Sequence, residues 1–257
     1  MESGSQRPIV IKIGGSTLGA HDTSLRDCVE LYQQGRGVVL VHGGGAIVSE
    51  WLARLGTPSE FVGGLRKTTE ESREVVVAVL AGLINKRLVQ QLAALGVRAV
   101  GLSGADGGMV QSPMNEQGLG FVGDAPVCDP RALRAVLAAG FLPIVAPIGL
   151  TPDGSALLNI NADSVAGAIA AAAEAEQLII LSDVRGILDG RGTLIEELDG
   201  KQADQLCAEG TIDGGMLPKV AACQAAAAAG AEARIVDGRV TGAIPAALAG
   251  ELGTRVR

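Results

Sequence analysis

Three glycine-rich junctions each follow a run of aliphatic residues: Lys12-Ile13-Gly14-Gly15-Ser16, His42-Gly43-Gly44-Gly45, and Gly101-Leu102-Ser103-Gly104-Ala105-Asp106-Gly107-Gly108. Glycine lets backbone N–H groups approach phosphate or carboxylate oxygens, so several such loops converging on one sheet edge would line an anion-binding cleft. Any one of them alone could be no more than a tight turn. Lys12 stands among Ile and Val, where an ammonium group is costly unless it faces a partner. It is either a functional cation at the end of a buried strand or a lysine that snorkels at the sheet rim. Lys219 opens a helical stretch after Gly210-Thr211-Ile212-Asp213-Gly214-Gly215-Met216 and by itself reads as a surface lysine. In Asn159-Ile160-Asn161-Ala162-Asp163, Asn161 suits a helix N-cap and Asp163 suits the first turn, where the helix dipole favours a negative charge. Capping leaves Asn159 unexplained. Arg66, in Gly63-Gly64-Leu65-Arg66, offers a forked donor for bidentate capture of a carboxylate, or is an exposed loop arginine.

Two familiar nucleotide motifs are missing. No G-x-x-x-x-G-K-[ST] occurs, and no G-x-G-x-x-G lies between a strand and a helix, so neither a P-loop enzyme nor an ordinary Rossmann dehydrogenase is supported.

The elements that must position these residues follow a repeating pattern of short apolar runs and amphipathic stretches, which is that of a parallel sheet covered by helices. Strands are expected at residues 9–13, 38–41, 97–102, 141–146, 178–181 and 233–236. One long helix is expected over residues 69–95, with Thr68-Thr69-Glu70-Glu71 as its capping box, Gly96 as its stop, and Asn85 and Lys86 on its polar face. Gly and Pro punctuate residues 111–126 and 149–160, which reads as two β-hairpin insertions, the second turning at Thr151-Pro152-Asp153-Gly154. An Ala-rich helix follows Asn161, helices are expected at 202–209 and 216–229, and a short helix and strand close the chain. The fresh strand at Leu178 suggests an N-terminal lobe over residues 1–175 and a C-terminal lobe over 176–257.

The chain has 257 residues, 47% of them hydrophobic, and a formal charge of −7. It is long enough to bury a core without disulfides or a structural metal. The acidic balance argues against a nucleic-acid backbone or an anionic membrane as partner. An anionic substrate would have to be held by a few placed cations. Aromatic residues make up only 2%, so the core must be aliphatic. Cys28, Cys128, Cys207 and Cys223 have no C-x-x-C spacing and there are two histidines, which fits buried thiols in a reducing cytoplasm better than a zinc site. The N-terminus has no apolar signal region, and the uncharged stretch 135–152 is broken by Gly140, Pro143, Pro147 and Gly149, so no membrane span is expected.

The ordered blocks Ile11-Lys12-Ile13-Gly14-Gly15, Val41-His42-Gly43-Gly44-Gly45, Gly64-Leu65-Arg66, Asn159 to Asp163, Leu181-Ser182-Asp183-Val184-Arg185-Gly186-Ile187-Leu188 and Gly214-Gly215-Met216-Leu217-Pro218-Lys219 together resemble the amino-acid kinase family. The resemblance runs from about Pro8 to the C-terminus. It implies an α/β three-layer sandwich around a central, mainly parallel, eight-stranded open sheet, with the acyl acceptor on the N-terminal lobe and ATP on the C-terminal lobe. The implied reaction moves the γ-phosphoryl group of MgATP to the side-chain carboxylate of N-acetyl-L-glutamate, a step of arginine biosynthesis. By the same resemblance Lys12 and Lys219 stabilise the transferring phosphoryl group and Asp163 holds both lysines. Gly15, Gly44 and Gly45 supply backbone donors, Gly15 towards the nucleotide and the other two towards the acceptor. Arg66 binds the acceptor's α-carboxylate and Asn159 its acetylated amine region. Asp183, Val184, Arg185, Gly186, Ile187 and Leu188, with Thr211, Ile212 and Asp213, line the nucleotide site, and Mg2+ is held mainly by the phosphates, without a dedicated protein ligand.

The arginine-inhibited branch of the family carries an additional N-terminal helix that interlaces dimers, whereas about seven residues precede the first strand here. The expectation is a homodimer insensitive to arginine, with the helix over 69–95 as its contact face. Two rival readings are an acyl-phosphate kinase acting on aminoadipate in lysine biosynthesis and a non-catalytic sensor of the same fold. Retention of Lys12, Asp163 and Lys219 disfavours the sensor.

Overall fold

The computed structural model describes residues 7–14 and 23–257. Gly15 and the short segment ahead of the first strand, on which the arginine expectation rests, fall wholly or mostly outside the described residues.

The first half of the chain runs β1 (Ile9–Ile13), α1 (Ser24–Gln33), β2 (Val38–His42), α2 (Gly45–Arg54) and the hairpin β3 (Phe61–Val62) to β4 (Leu65–Arg66). A continuous helical run follows, made of α3 (Glu70–Val77), a π-helical segment (Ala78–Ile84) and α4 (Asn85–Ala94), then β5 (Ala99–Ser103), β6 (Val110–Gln111), β7 (Val127–Cys128) and α5 (Arg131–Ala138). Next come β8 (Leu142–Ala146), β9 (Ile148–Leu150), β10 (Leu157–Asn159), α6 (Ala162–Ala172), β11 (Gln177–Ser182), β12 (Glu197–Leu198) and α7 (Gly200–Ala208). The chain ends with α8 (Leu217–Ala228), β13 (Glu232–Asp237), α9 (Ala243–Leu248) and β14 (Thr254–Val256).

Among the described residues, eight strands form the central sheet in the order β12-β14-β13-β11-β1-β2-β8-β5, parallel except for β13 against β14. The expected three-layer sandwich is therefore present. β1 lies at the middle, paired with β2 on one side and β11 on the other. Alternation along β1 divides the core into two layers. Ile9, Ile11 and Ile13 pack with residues of α1, α3, α4 and α9, whereas Val10 packs with residues of α6 and α8. Each such fully buried aliphatic side chain contributes about 1.5–3 kcal/mol. The same alternation sends Lys12 to the α6–α8 side, which decides its chemistry.

Both expected insertions exist, joined as one small sheet in the order β10-β9-β6-β7. Asp153 builds the second turn by accepting from Thr151 Oγ1 at 2.6 Å and from Ser155 N at 3.1 Å.

The helical run starts and ends as expected, with two corrections. Thr69 caps it by accepting from Ser72 N at 3.2 Å, and Ser72 Oγ donates back to the Thr69 carbonyl, because Ser72 and not a glutamate occupies the third helical position. Asn85 is not on a polar face but fully buried: the π segment inserts an extra residue per turn and brings both Ile84 and Asn85 against the sheet. The run Glu70–Ala94 has the length and apolarity to cross a membrane, yet Val76, Leu80, Ile84, Leu88 and Leu92 are buried in this fold's own core.

Candidate active site

In an open parallel sheet, ligands gather beyond the carboxyl ends of the strands, and the carboxyl ends of β1, β2 and β11 here lie side by side. Lys12 is the penultimate residue of β1 and is 6% exposed. Its Nζ sits 2.8 Å from Asp163 Oδ1. Asp163 is in the first turn of α6, where Asn161 Oδ1 caps the helix by accepting from Asp163 N at 2.8 Å and Ser164 N at 3.2 Å. Its other oxygen, Oδ2, accepts from Lys219 Nζ at 2.8 Å. Lys219 is the third residue of α8, whose start is set by Pro218 in its first turn.

The two helices meet at van der Waals limits. A Cβ on Gly167 would lie 2.7 Å from the Ala222 Cα, so only glycine permits this crossing. Gly167 is one turn after Asp163 and Ala222 is one turn after Lys219, so this contact sits directly beneath the ion pair and sets its spacing.

One carboxylate thus holds two ammonium groups, leaving a net positive charge in a largely buried position. Burial, reinforced by the Lys219 charge, pulls the Lys12 pKa below its ordinary 10.5, against the opposing pull of Asp163. Burial alone would raise the Asp163 pKa, but Lys12 and Lys219 outweigh it and hold the carboxyl below its usual range. The Cys223 thiol, buried beside this group, is pushed up by burial and by the Asp163 charge, so it remains protonated.

Next to Asp163, a cavity of about 160 Å³ is lined by Gly44, Gly45, Arg66, Asn159, Asn161 and Ala162, with apolar walls from Phe61, Val76, Leu80 and Ile160. The N-termini of α2 and α6 both open onto it, and their first N–H groups have no intrahelical acceptors. Gly44 leaves no free room for a side chain: a Cβ there would meet Ile84 Cδ1 at 2.2 Å and displace it. Arg66 is 6% exposed; it donates to Gly45 O at 2.7 Å, to Ser49 Oγ at 2.8 Å and to Ser59 Oγ, and it stacks on the Phe61 ring at 4.5 Å. Burial lowers its pKa, and no carboxylate among the described residues forms an ion pair with it. A buried, rigidly held guanidinium without an anionic partner is what a bound carboxylate would complete. Asn159 Nδ2 donates to Thr68 Oγ1 at 3.1 Å, and that hydroxyl donates to Arg66 O at 3.1 Å. Thr68 therefore ties the two expected acceptor residues together. Neither its burial nor this link could be read from a Thr-Thr pair taken as a cap.

The structure brings Lys12, Asp163 and Lys219 together, and separately Gly44, Gly45, Arg66 and Asn159. The nucleotide residues are less tightly joined. Gly186 is pressed against Thr254, whose Oγ1 would lie 2.6 Å from a Cβ there. Thr254 Oγ1 accepts from Ile187 N at 2.8 Å and donates to Ile195 O at 2.6 Å. Leu188 forms a bridge with Leu194. Ile187 and Ile212 enter one buried cluster, while Val184 is half-buried and Asp183, Arg185, Thr211 and Asp213 are exposed. No hydrogen bond among the described residues joins 183–188 to 211–213. Likewise, among the described residues no three His, Cys, Asp or Glu side chains cluster to hold a metal ion.

A central sheet of this order, with two lysines converging on one carboxylate beside an anion-receptive cavity, defines a phosphotransferase type of α/β protein. The chain belongs to the amino acid kinase family, whose sequence model matches residues 7–237. It is similar to the acetylglutamate kinase of Dehalococcoides mccartyi strain 195, with 41% identity over 92% of this chain and 89% of that one. It is also similar to the acetylglutamate kinase of Synechococcus sp. strain CC9605, with 44% identity over 95% and 86%. Among solved structures, smu.665 from Streptococcus mutans UA159 superposes with a TM-score of 0.81 at 29% identity, over 96% of this chain and 97% of that one.

Proposed function

We propose that this chain phosphorylates the side-chain carboxylate of N-acetyl-L-glutamate with ATP, giving the acyl phosphate and ADP. The observation that carries the reading is the Lys12–Asp163–Lys219 cluster at 2.8 Å on each side, placed beside a cavity that ends at Arg66 and Asn159. It is supported by the similarity to acetylglutamate kinases over most of the chain.

The acceptor carboxylate is already ionised at neutral pH, so no general base is required. The difficulty is bringing it to a polyanionic phosphate. Lys12 and Lys219 neutralise charge on the transferring group, Asp163 fixes the spacing between them, and alignment does the rest. Arg66 takes the α-carboxylate, Asn159 the acetamido group, and the Gly44 and Gly45 N–H groups the remaining oxygens. The nucleotide lies over Asp183 to Leu188 and Thr211 to Asp213. Magnesium would be held by the nucleotide's phosphates rather than by a protein ligand and, when bound, would supply further charge neutralisation. The acceptor half corresponds to residues 1–175 and the nucleotide half to 176–257, meeting where β1 pairs with β11.

Two copies associate through an apolar groove on the outer side of α2, α3 and the π-helical segment, lined by Trp51, Leu55, Val75, Ala78, Val79 and Leu83, with Leu55 59% exposed. The enzyme works in the cytoplasm on a small molecule, without nucleic acid or membrane. Hydroxylamine trapping of acyl phosphate across N-acetyl-L-glutamate, L-glutamate, L-aspartate and N-acetyl-L-aminoadipate tests the assignment. Turnover restricted to N-acetyl-L-glutamate is expected; preference for the longer acid, or silence with all four, would overturn it.

A further inference from the structure

His42 and Asn85 lie behind the acceptor cavity, outside the residues that line it, and both are fully buried. Burial pulls the His42 pKa down to about 4, so the imidazole is neutral at physiological pH. Its Nδ1 lies 2.9 Å from the Gly43 carbonyl oxygen and its Nε2 lies 3.3 Å from Asn85 Nδ2. A carbonyl can only accept, so in the neutral ring Nδ1 carries the proton and Nε2 is the unprotonated nitrogen. The two Asn85 Nδ2 hydrogens have nearer acceptors in Ile144 O at 2.9 Å and Leu102 O at 3.1 Å, carbonyls of adjacent strands, so the longer contact to Nε2 shares one of these hydrogens.

This chain of contacts ends on the peptide between Gly43 and Gly44. In a trans peptide the C=O and N–H point in opposite directions, so holding the Gly43 oxygen towards His42 turns the Gly44 N–H away from it. No acceptor for the Gly44 or Gly45 N–H is found among the described residues. Glycine itself has almost no intrinsic preference that would keep the peptide in this orientation. The neighbouring surroundings are fitted to the network. A Cβ on Gly101 would fall 2.0 Å from Asn85 Oδ1, and Ile84, adjacent to Asn85 in the helical run, fills the space against Gly44.

We infer that His42 and Asn85 are positioning residues that fix the orientation of the Gly43–Gly44 peptide, so that the Gly44 N–H is presented to the anionic acceptor before it binds. The inference rests on the acceptor reading given above. Neither side chain touches the substrate; both act through the loop.

The test measures steady-state constants for N-acetyl-L-glutamate and ATP in the wild type, His42→Leu and His42→Asn. An asparagine at this position can place its amide nitrogen where Nδ1 stood and restore the donor to Gly43. In His42→Leu the KM for the acceptor rises about tenfold or more with the KM for ATP changed less than twofold. His42→Asn recovers most of that loss. An acceptor KM unchanged in His42→Leu, a parallel rise in both KM values, or no recovery in His42→Asn overturns the inference. Absence of wild-type turnover would instead remove the acceptor reading itself. If His42→Leu does not fold, the wild-type tautomer decides: nitrogen-correlated NMR of the imidazole must show the proton on Nδ1 at neutral pH, and a proton on Nε2 overturns the proposal.

Discussion

Arg66, Thr68 and Asn159 around the acceptor cavity are already held by hydrogen bonds to the protein, and Arg66 is 6% exposed. Across the cluster, Asp183, Arg185, Thr211 and Asp213 stand in solvent, on two loops, one secured by Thr254 at Ile187 and the other by Thr211 N and Ile212 N donating to Leu206 O. On the proposed reading, the acceptor side is preorganised and discriminating, because a small anion must find its donors in place. The proposed nucleotide side is an open shelf, suited to a large ligand that contributes much of its own contact surface. The lysine cluster belongs to both, since Lys12 comes from β1 and Lys219 from α8.

The sharpest break comes from that shared cluster. Lys219→Ala is expected to lower kcat by about 10³-fold or more, the scale of a lost preorganised charge contact, while the melting temperature moves little because the side chain is only part-buried. Full activity in that variant would remove Lys219 from the mechanism. On the preorganised side, Arg66→Ala should raise the acceptor KM by roughly 10²-fold, the equivalent of about 2–3 kcal/mol of charged hydrogen bonding, with the ATP KM nearly unchanged. An equal rise in both would mean the two sides are not separable. Gly167→Ala tests the crossing beneath the lysines. Its Cβ meets Ala222 backbone at 2.7 Å, the helices must part, and kcat should fall by about 10–100-fold while the acceptor affinity, measured by calorimetry, holds. On the open shelf, Asp183→Ala should change the ATP KM by about threefold or less, as expected for one exposed contact; a larger effect would mean that this side too is built from indispensable single residues.

Why some of this could be read from sequence and some could not is itself physical. The central strands are nearly continuous in apolar residues, which only burial on both faces requires, so their places were evident to within one or two residues. The two-residue strands β3, β4 and β12 carry no such signal. Lys12 was legible because a lysine amid Ile and Val is an anomaly that needs a partner. Lys219 was not legible on its own, since its partner lies 56 residues away and their meeting depends on a glycine in another helix. Asn85 was placed on the wrong face because helical periodicity assumes a constant turn, and the π segment changes it. Its acceptors, Leu102 O and Ile144 O, are supplied by strands that sequence order keeps apart. Thr68 and the Ser49–Ser59 cradle of Arg66 use ordinary hydroxyls whose importance is created only by the fold.

The chain has a single tryptophan, and the fold puts it on α2, six residues beyond Gly45, in the apolar groove where a second copy is proposed to sit. Its ring already carries the Arg54 guanidinium at 5.4 Å. The protein thus contains its own optical probe. Excitation at the indole band reports on one defined place: emission should move to shorter wavelength as concentration drives association, and dilution should reverse it. Because α2 begins in the glycine loop, the same signal can follow acceptor binding in the unlabelled enzyme, with no second tryptophan to blur the reading.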